Sequence, residues 1–167
     1  ISAARVESMV VSVLDAKIAL EDKLRTAVTV ADDGVFNKTD TLFDNPRTTS
    51  PQLSFPVLDI SLLFRVESGR LGITEKLKTL SIAEENFDTN LARHKKYFSE
   101  LKSYFDDLAL AINSVMPTAR YSQSVIEGRR ADVSLARMNL NTAISSLLNA
   151  EQVYRSAVSS QMIAESE

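Results

Sequence analysis

Apolar residues recur at alternating three- and four-residue steps along most of this chain, the rhythm of helices laid against helical neighbours. From Ile1 to about Ala31, the positions Ala3, Val6, Val10, Val13, Leu20, Leu24, Ala27 and Ala31 keep that spacing, and Lys17 interrupts it. Val11, Leu14, Ile18 and Val28 make a second stripe beside the first. A stripe that wide suits a bundle core rather than a single partner. Asp32-Asp33-Gly34 then supplies a stop.

The strongest run starts at Ile73. Leu77, Leu80, Glu84, Phe87, Leu91, His94, Phe98, Leu101, Phe105, Leu108, Ile112 and Val115 hold strict four-three spacing, and only Glu84 and His94 are not apolar. About six heptads exceed the three or four that support a coiled coil. At ~1.5 Å per residue the predicted helix over 73–115 is roughly 60 Å long. After Pro117 the rhythm returns over 118–164, with Ile126, Val133, Leu140, Leu147 and Tyr154 on one seam position. Ala136, Ala143, Ala150, Ala157 and Ala164 hold the other, where small side chains let a neighbouring helix come close. The phase passes through Pro117 without a slip (Val115, Ala119, Ser122, Ile126), which fits one long kinked helix. A proline inside a helix costs ~3 kcal/mol, and two long apolar faces bury each other most readily, so an antiparallel hairpin is the favoured reading.

Between Val35 and Gly72 the pattern changes. Pro46, Pro51 and Pro56 fall here, with Asn45 and Thr48-Thr49-Ser50. Val35–Phe43 suits a short helix. Leu53, Phe55 and Val57 alternate, as do Ile60, Leu62, Phe64 and Val66, which predicts extended backbone; a short helical turn over Leu58–Val66 is the competing reading. A connection this long often docks or recognises something. The plainer alternative is a crossover that packs its aromatics on the bundle.

Composition narrows the function classes. The chain is 44% hydrophobic and 25% charged, with four Gly, four Pro and no Trp, so long uninterrupted helices are expected and an aromatic-rich ligand pocket is not. The net charge is −3, and the densest basic stretches are Arg93-His94-Lys95-Lys96 and Arg129-Arg130. Phosphate binding needs clustered cations, so nucleic acid is an expected partner only for a repeated coat subunit. The absence of Cys removes disulfides, thiolate zinc sites and thiol nucleophiles. No apolar run reaches the ~18 residues of a spanning helix. The start at Ile1 rather than Met suggests a cleaved leader or a fragment, and hence an extracytoplasmic or particle-borne chain.

Candidate chemistry is sparse. A di-iron bundle needs Glu-x-x-His pairs, and the single histidine, His94, lacks a Glu three residues before it. His94 on the seam reads as a pH-sensitive register switch or, more plainly, as a partly exposed histidine with a local hydrogen bond. Glu84 reads as a register-setting polar position. The pairs Asp32-Asp33, Glu84-Glu85 and Asp106-Asp107 read as solvated acidic faces. No Gly-x-Ser-x-Gly, P-loop or glycine fingerprint occurs, so no catalytic, cofactor or metal residue is assigned and no small-molecule substrate is indicated. The cluster Glu127-Gly-Arg-Arg-Ala-Asp132 is the most distinctive polar feature. Arg129 and Arg130 are candidates for gripping phosphates or a partner carboxylate, or for pairing along the helix or between subunits with Glu127 and Asp132.

Two resemblances follow from these residues. The last helix, Asp132-Val-Ser-Leu-Ala-Arg-Met-Asn-Leu-Asn-Thr-Ala through Tyr154-Arg-Ser-Ala157, resembles the return helices of TolC-like outer-membrane ducts. That family's paired membrane strands have no counterpart here, so the resemblance implies a fragment of an envelope transport component. Ser50-Pro-Gln-Leu-Ser-Phe-Pro56 with Arg129-Arg130-x-Asp132 resembles short pieces of rod-shaped plant-virus coat proteins, which implies a particle subunit.

The expected fold is all-α: an elongated antiparallel bundle or coiled coil of long heptad helices, with an irregular Pro-containing connection and a short extended segment, in one domain over 1–167. The expected function is a non-enzymatic structural or assembly subunit of a filament, coat or appendage, self-associating or binding a helical partner. A sensory or periplasmic binding bundle is the alternative. The residues expected to carry interaction and packing are Leu77, Leu80, Phe87, Leu91, Phe98, Leu101, Phe105, Leu108 and Ile112, with Ala136, Ala143, Ala150 and Ala157.

Overall fold

The computed structural model describes residues 2–80 and 86–166, and Glu84 and Glu85 lie outside that range. The protein is 82% helical, with four α-helices and one small sheet among the described residues. In order these are α1 (Ala3–Asp32), β1 (Phe43–Asp44), β2 (Gln52–Leu53), α2 (Ile60–Leu80), α3 (Phe87–Asn113) and α4 (Gln123–Ser166). Contacts divide the chain into two compact units: Ile1–Val28 with Thr142–Glu167, and Thr29–Asn141. The first, the paired-helix unit, holds most of α1 and the second part of α4. The second, the central unit, holds the rest.

The paired-helix unit has a narrow interior. Ala16, Leu20, Leu24 and Ala27 of α1 are buried, as are Ala143, Leu147 and Ala164 of α4. Val6, Met9 and Val13 are half-buried, as are Ala150, Tyr154 and Ala157. Mostly small side chains therefore make up its interior.

The central unit is built on α2 and α3. On α2 the buried positions Leu62, Val66, Arg70, Ile73, Leu77 and Leu80 step by threes and fours. They face a wide stripe on α3, including Leu91, Phe98, Leu101, Phe105, Leu108 and Ile112. Arg65 bonds Asp107 near one end of the pair, and Lys76 bonds Glu100 further along, which makes the helices antiparallel. The α4 stretch adds Ile126, Val133, Ala136 and Leu140 to the core. Arg130 meets the last carbonyls of α3 while Arg137, seven residues on, meets Asp106 at 2.7 Å. Residues 87–140 thus form an antiparallel hairpin rather than one kinked helix.

Two sequence expectations change, and one open choice is decided. The run predicted as one helix over 73–115 is two helices. Asn86 is extended, and its side chain accepts from the Thr89 amide at 2.9 Å, starting α3 afresh. Of the two readings over 60–66, the helical one holds. Asp59 accepts from the Leu62 amide at 3.0 Å and opens α2 there, so Leu62 and Val66 turn inward while Ile60 and Phe64 face out. Gly34 does not stop the chain. The helix runs on through a wider turn over Asp33–Lys38, where a Cβ on Gly34 would meet the Phe105 ring at 2.9 Å. Glycine is needed there for close approach, not for an unusual backbone angle.

The connection is compact. The Thr39 hydroxyl closes the wide turn on the Gly34 and Val35 carbonyls at 3.0 and 3.1 Å. A short turn over Asp40–Leu42 leads into β1, and β1 pairs antiparallel with β2 in the register Phe43↔Leu53 and Asp44↔Gln52. Asn45 takes the left-handed conformation (φ 53°) that the reversal requires, and asparagine tolerates it. The predicted alternation holds at Leu53, Phe55 and Val57, which are buried between a half-buried Ser54 and an exposed Pro56.

Candidate functional site

The connection is held to the central unit by one buried cation. Arg70 has no exposed surface. Its guanidinium donates to the Val35 carbonyl at 2.6 Å, to the Thr39 hydroxyl at 3.3 Å and to the Pro46 carbonyl at 3.4 Å, and it pairs with Asp40. Phe36 and Phe43 lay their rings within 5.6 and 5.3 Å of its Cζ, and Arg47 binds the same Asp40 at 2.8 Å. A rigid fork with five donors suits such a spread of acceptors, whereas a lysine has a single point of charge. The Tyr104 hydroxyl is buried as well, and burial pushes its pKa up against the opposing pull of Arg70. Arg70 itself is closed to solvent, while Arg47 on the outer side of Asp40 is exposed. The chemistry of the cluster is structural: it fixes residues 35–46 on α2.

The open feature of the central unit lies where α2 begins and α3 ends. Pro56, Leu58, Leu62, Leu110, Val115 and Met116 line a groove of about 520 Å³. Leu58 is 98% exposed and Phe64 is 70% exposed, and Ile60, Leu110 and Met116 are also open to solvent. The polar rim includes Asp59, engaged as the α2 cap, and Arg65, which grips Asp107 through two bonds of 3.2 Å. Both rim charges are satisfied, so the free character of the groove is apolar. Beside it, a shallower cleft of about 340 Å³ runs along α2 and α3. Its floor is Gly69, Gly72 and the Tyr104 ring, the last lying 3.0 Å from where a Gly69 Cβ would stand.

The sequence-predicted packing residues gather in the interior. Leu77, Leu80, Leu91, Phe98, Leu101, Phe105, Leu108 and Ile112 are buried in the central unit, and Phe87 is half-buried. Ala136 is buried there and would stand 3.6 Å from a Gly34 Cβ. Ala143 is buried in the paired-helix unit, where Ala150 and Ala157 are half-buried. Of the polar candidates, Arg130 donates to the Ile112, Asn113 and Val115 carbonyls at 3.3, 3.2 and 3.1 Å and so caps α3. Arg129 lies 3.7 Å from Asp132 on its own helix. The structure therefore does not bring these three together as one site. His94 is buried, with Nδ1 2.8 Å from the Asn90 carbonyl and its ring tilted toward Phe98; burial lowers its pKa. Asp106 and Asp107 serve separate arginines.

Sequence reasoning missed Arg70 and the exposed group of Leu58, Ile60 and Phe64. Both were detectable once 60–80 is read as helix. Arg70 then falls on the apolar face, four residues after Val66 and three before Ile73, while Ile60 and Phe64 fall on the opposite face. Among the described residues no group of acidic or histidine side chains is placed to hold a metal ion, and no helix is long and apolar enough to cross a membrane. In comparisons with known proteins, no family model, no curated protein and no solved structure matches the chain.

Proposed function

We propose that the chain is a non-enzymatic assembly subunit that self-associates through helical faces, as a component of a filament, coat or appendage. The observation that carries this reading is the grouping of exposed large apolar side chains. Leu58, Ile60, Phe64, Leu110 and Met116 are open to water in the central unit, three of them lining the groove. Single exposed apolar residues are ordinary, but contiguous apolar patches mark interaction sites. The seam residues expected from the sequence are spent on the interior, so such contacts fall to the apolar side chains left exposed, and the polar groups around the groove are engaged structurally.

Light scattering across a wide concentration range tests the proposal. Species larger than 18.5 kDa that grow with concentration are expected, and Leu58→Ser/Phe64→Ser should shrink them while leaving the helical circular dichroism unchanged. A monomer of 18.5 kDa at every concentration overturns it.

The groove volume favours a second reading, a ligand-binding bundle, because about 520 Å³ sits within the ~300–1,000 Å³ of small-molecule pockets. Under that reading an apolar dye binds one to one and saturably, and Leu62→Trp, which fills the groove, abolishes binding.

A further inference from the structure

Within the paired-helix unit, α1 carries a second stripe that its own fold leaves open. Val11, Leu14 and Ile18 are 51, 54 and 61% exposed. At 3.6 residues per turn they lie on the side of α1 away from the buried Ala16, Leu20, Leu24 and Ala27. Continued at the same spacing, the stripe reads Ala4, Glu7, Val11, Leu14, Ile18, Glu21, Arg25. It has an acid toward one end and a base at the other. The midpoint of Glu7 and Arg25 is position 16, and position 16 is also the midpoint of Leu14 and Ile18.

That coincidence specifies a partner. We infer that this face is covered by a second copy of the chain, α1 against α1, antiparallel about a two-fold axis level with position 16. Leu14 of each copy then packs on Ile18 of the other, and Glu7 of each copy faces Arg25 of the other at both ends. Val11 meets the stem of the other copy's Glu21, at the stripe edge where a carboxylate stays in water. The contact is self-complementary, as two-fold symmetry demands. A parallel pair sets Glu7 on Glu7 and Arg25 on Arg25, so the charges select orientation as well as partner. Within one copy Arg25 also lies 3.7 Å from Asp22, an exposed contact on the same helix that is readily exchanged. The inference rests on the self-association proposed above and names one surface and geometry for it.

Charge exchange tests it. Glu7→Arg alone, and Arg25→Glu alone, each place like charges at both ends and should weaken dimerisation about tenfold. Mixing the two variants restores both contacts. The new base at position 7 of the first variant meets the new acid at position 25 of the second, and the first variant's unchanged Arg25 meets the second's unchanged Glu7. Sedimentation equilibrium of the equimolar mixture should therefore recover the wild-type dimer constant, and the recovery should fade in roughly 1 M salt. Both substituted residues are exposed, and circular dichroism checks that each variant stays helical. If the mixture is no tighter than either variant alone, the antiparallel α1 contact is wrong. If wild type associates and only Leu58→Ser/Phe64→Ser weakens it, this interface fails while self-association stands. A wild-type chain that is monomeric throughout overturns both.

Discussion

The paired-helix unit and the central unit share one heptad rhythm and use it differently. In the central unit the stripe is filled with Phe98, Phe105, Leu101 and Leu108, and the helices are cross-tied by Arg65–Asp107, Lys76–Glu100 and Arg137–Asp106. A buried arginine then anchors the connection. In the paired-helix unit the interior is Ala16, Leu20, Leu24, Ala27, Ala143 and Leu147, and the exposed pair Arg25–Asp22 is a local one along α1. Exposed pairs of that kind contribute little. Apolar periodicity alone thus yields two kinds of structure. One is locked by large side chains and long-range polar ties. The other is held by smaller residues, with Val11, Leu14 and Ile18 exposed along α1.

The largest test of this contrast is Arg70→Ala. It leaves Asp40 with Arg47 alone, removes the Arg70 donors from three backbone or hydroxyl acceptors and empties a buried site, and should cost about 3–5 kcal/mol in urea unfolding. Hydrogen exchange should show the loss in α2, α3 and the connection. A cost below ~1 kcal/mol would mean the buried cation is not the anchor described. Arg70→Lys should recover only part of the loss, because an ammonium lacks the fork.

Next comes Ala143→Leu in the paired-helix unit, where overpacking should cost about 1–3 kcal/mol and disturb assembly as well. Unchanged stability and unchanged assembly in that variant would argue against tight approach at the alanine ladder. In the central unit Gly34→Ala pits ~1 kcal/mol of helix propensity against the clash with Phe105, and a net loss of ~1 kcal/mol is expected. Arg130→Ala removes the α3 cap, and at a half-buried site the expected loss is also about 1 kcal/mol. A stabilised Gly34→Ala protein would show that the Phe105 ring moves aside.

The smallest effect is the pH response of His94. Burial lowers its pKa below the ordinary value near 6.5, so the folded protein favours the neutral ring. The unfolded chain takes up the proton first as pH falls. His94 thus contributes stability that is fully present above ~pH 6.5 and is lost as pH drops below that value toward the lowered pKa. His94→Gln should flatten the stability profile in this window. An identical slope in that variant would assign the acid sensitivity to other groups.

Much of the fold was legible because apolar spacing reports helix faces directly. The seam residues Leu91, Phe98, Leu101, Phe105, Leu108 and Ile112 are all buried on α3. The break at Asn86 was not legible, because the apolar spacing passes straight through and only the Asn86 cap marks the start of α3. The choice between strand and helix over 60–66 was left open. Alternation over seven residues fits both periods until the Asp59 cap decides. The candidate groove was invisible, since exposure at Leu58 and Phe64 depends on where α2 begins.

By itself, then, the sequence determined a helical chain with wide apolar stripes, a proline-bearing connection and a small-residue seam on the last helix. These are local properties, set by side-chain volume and periodicity along a single strand of chain. Only the tertiary structure decided that α3 and α4 form a hairpin, that Arg130 caps α3, that Gly34 packs on Phe105, and that Arg70 is buried. Each of these depends on partners far apart in sequence: Val35 with Arg70, Ile112 with Arg130, Gly34 with Phe105. No spacing rule within one segment encodes such pairs, because their energy exists only once the segments have met.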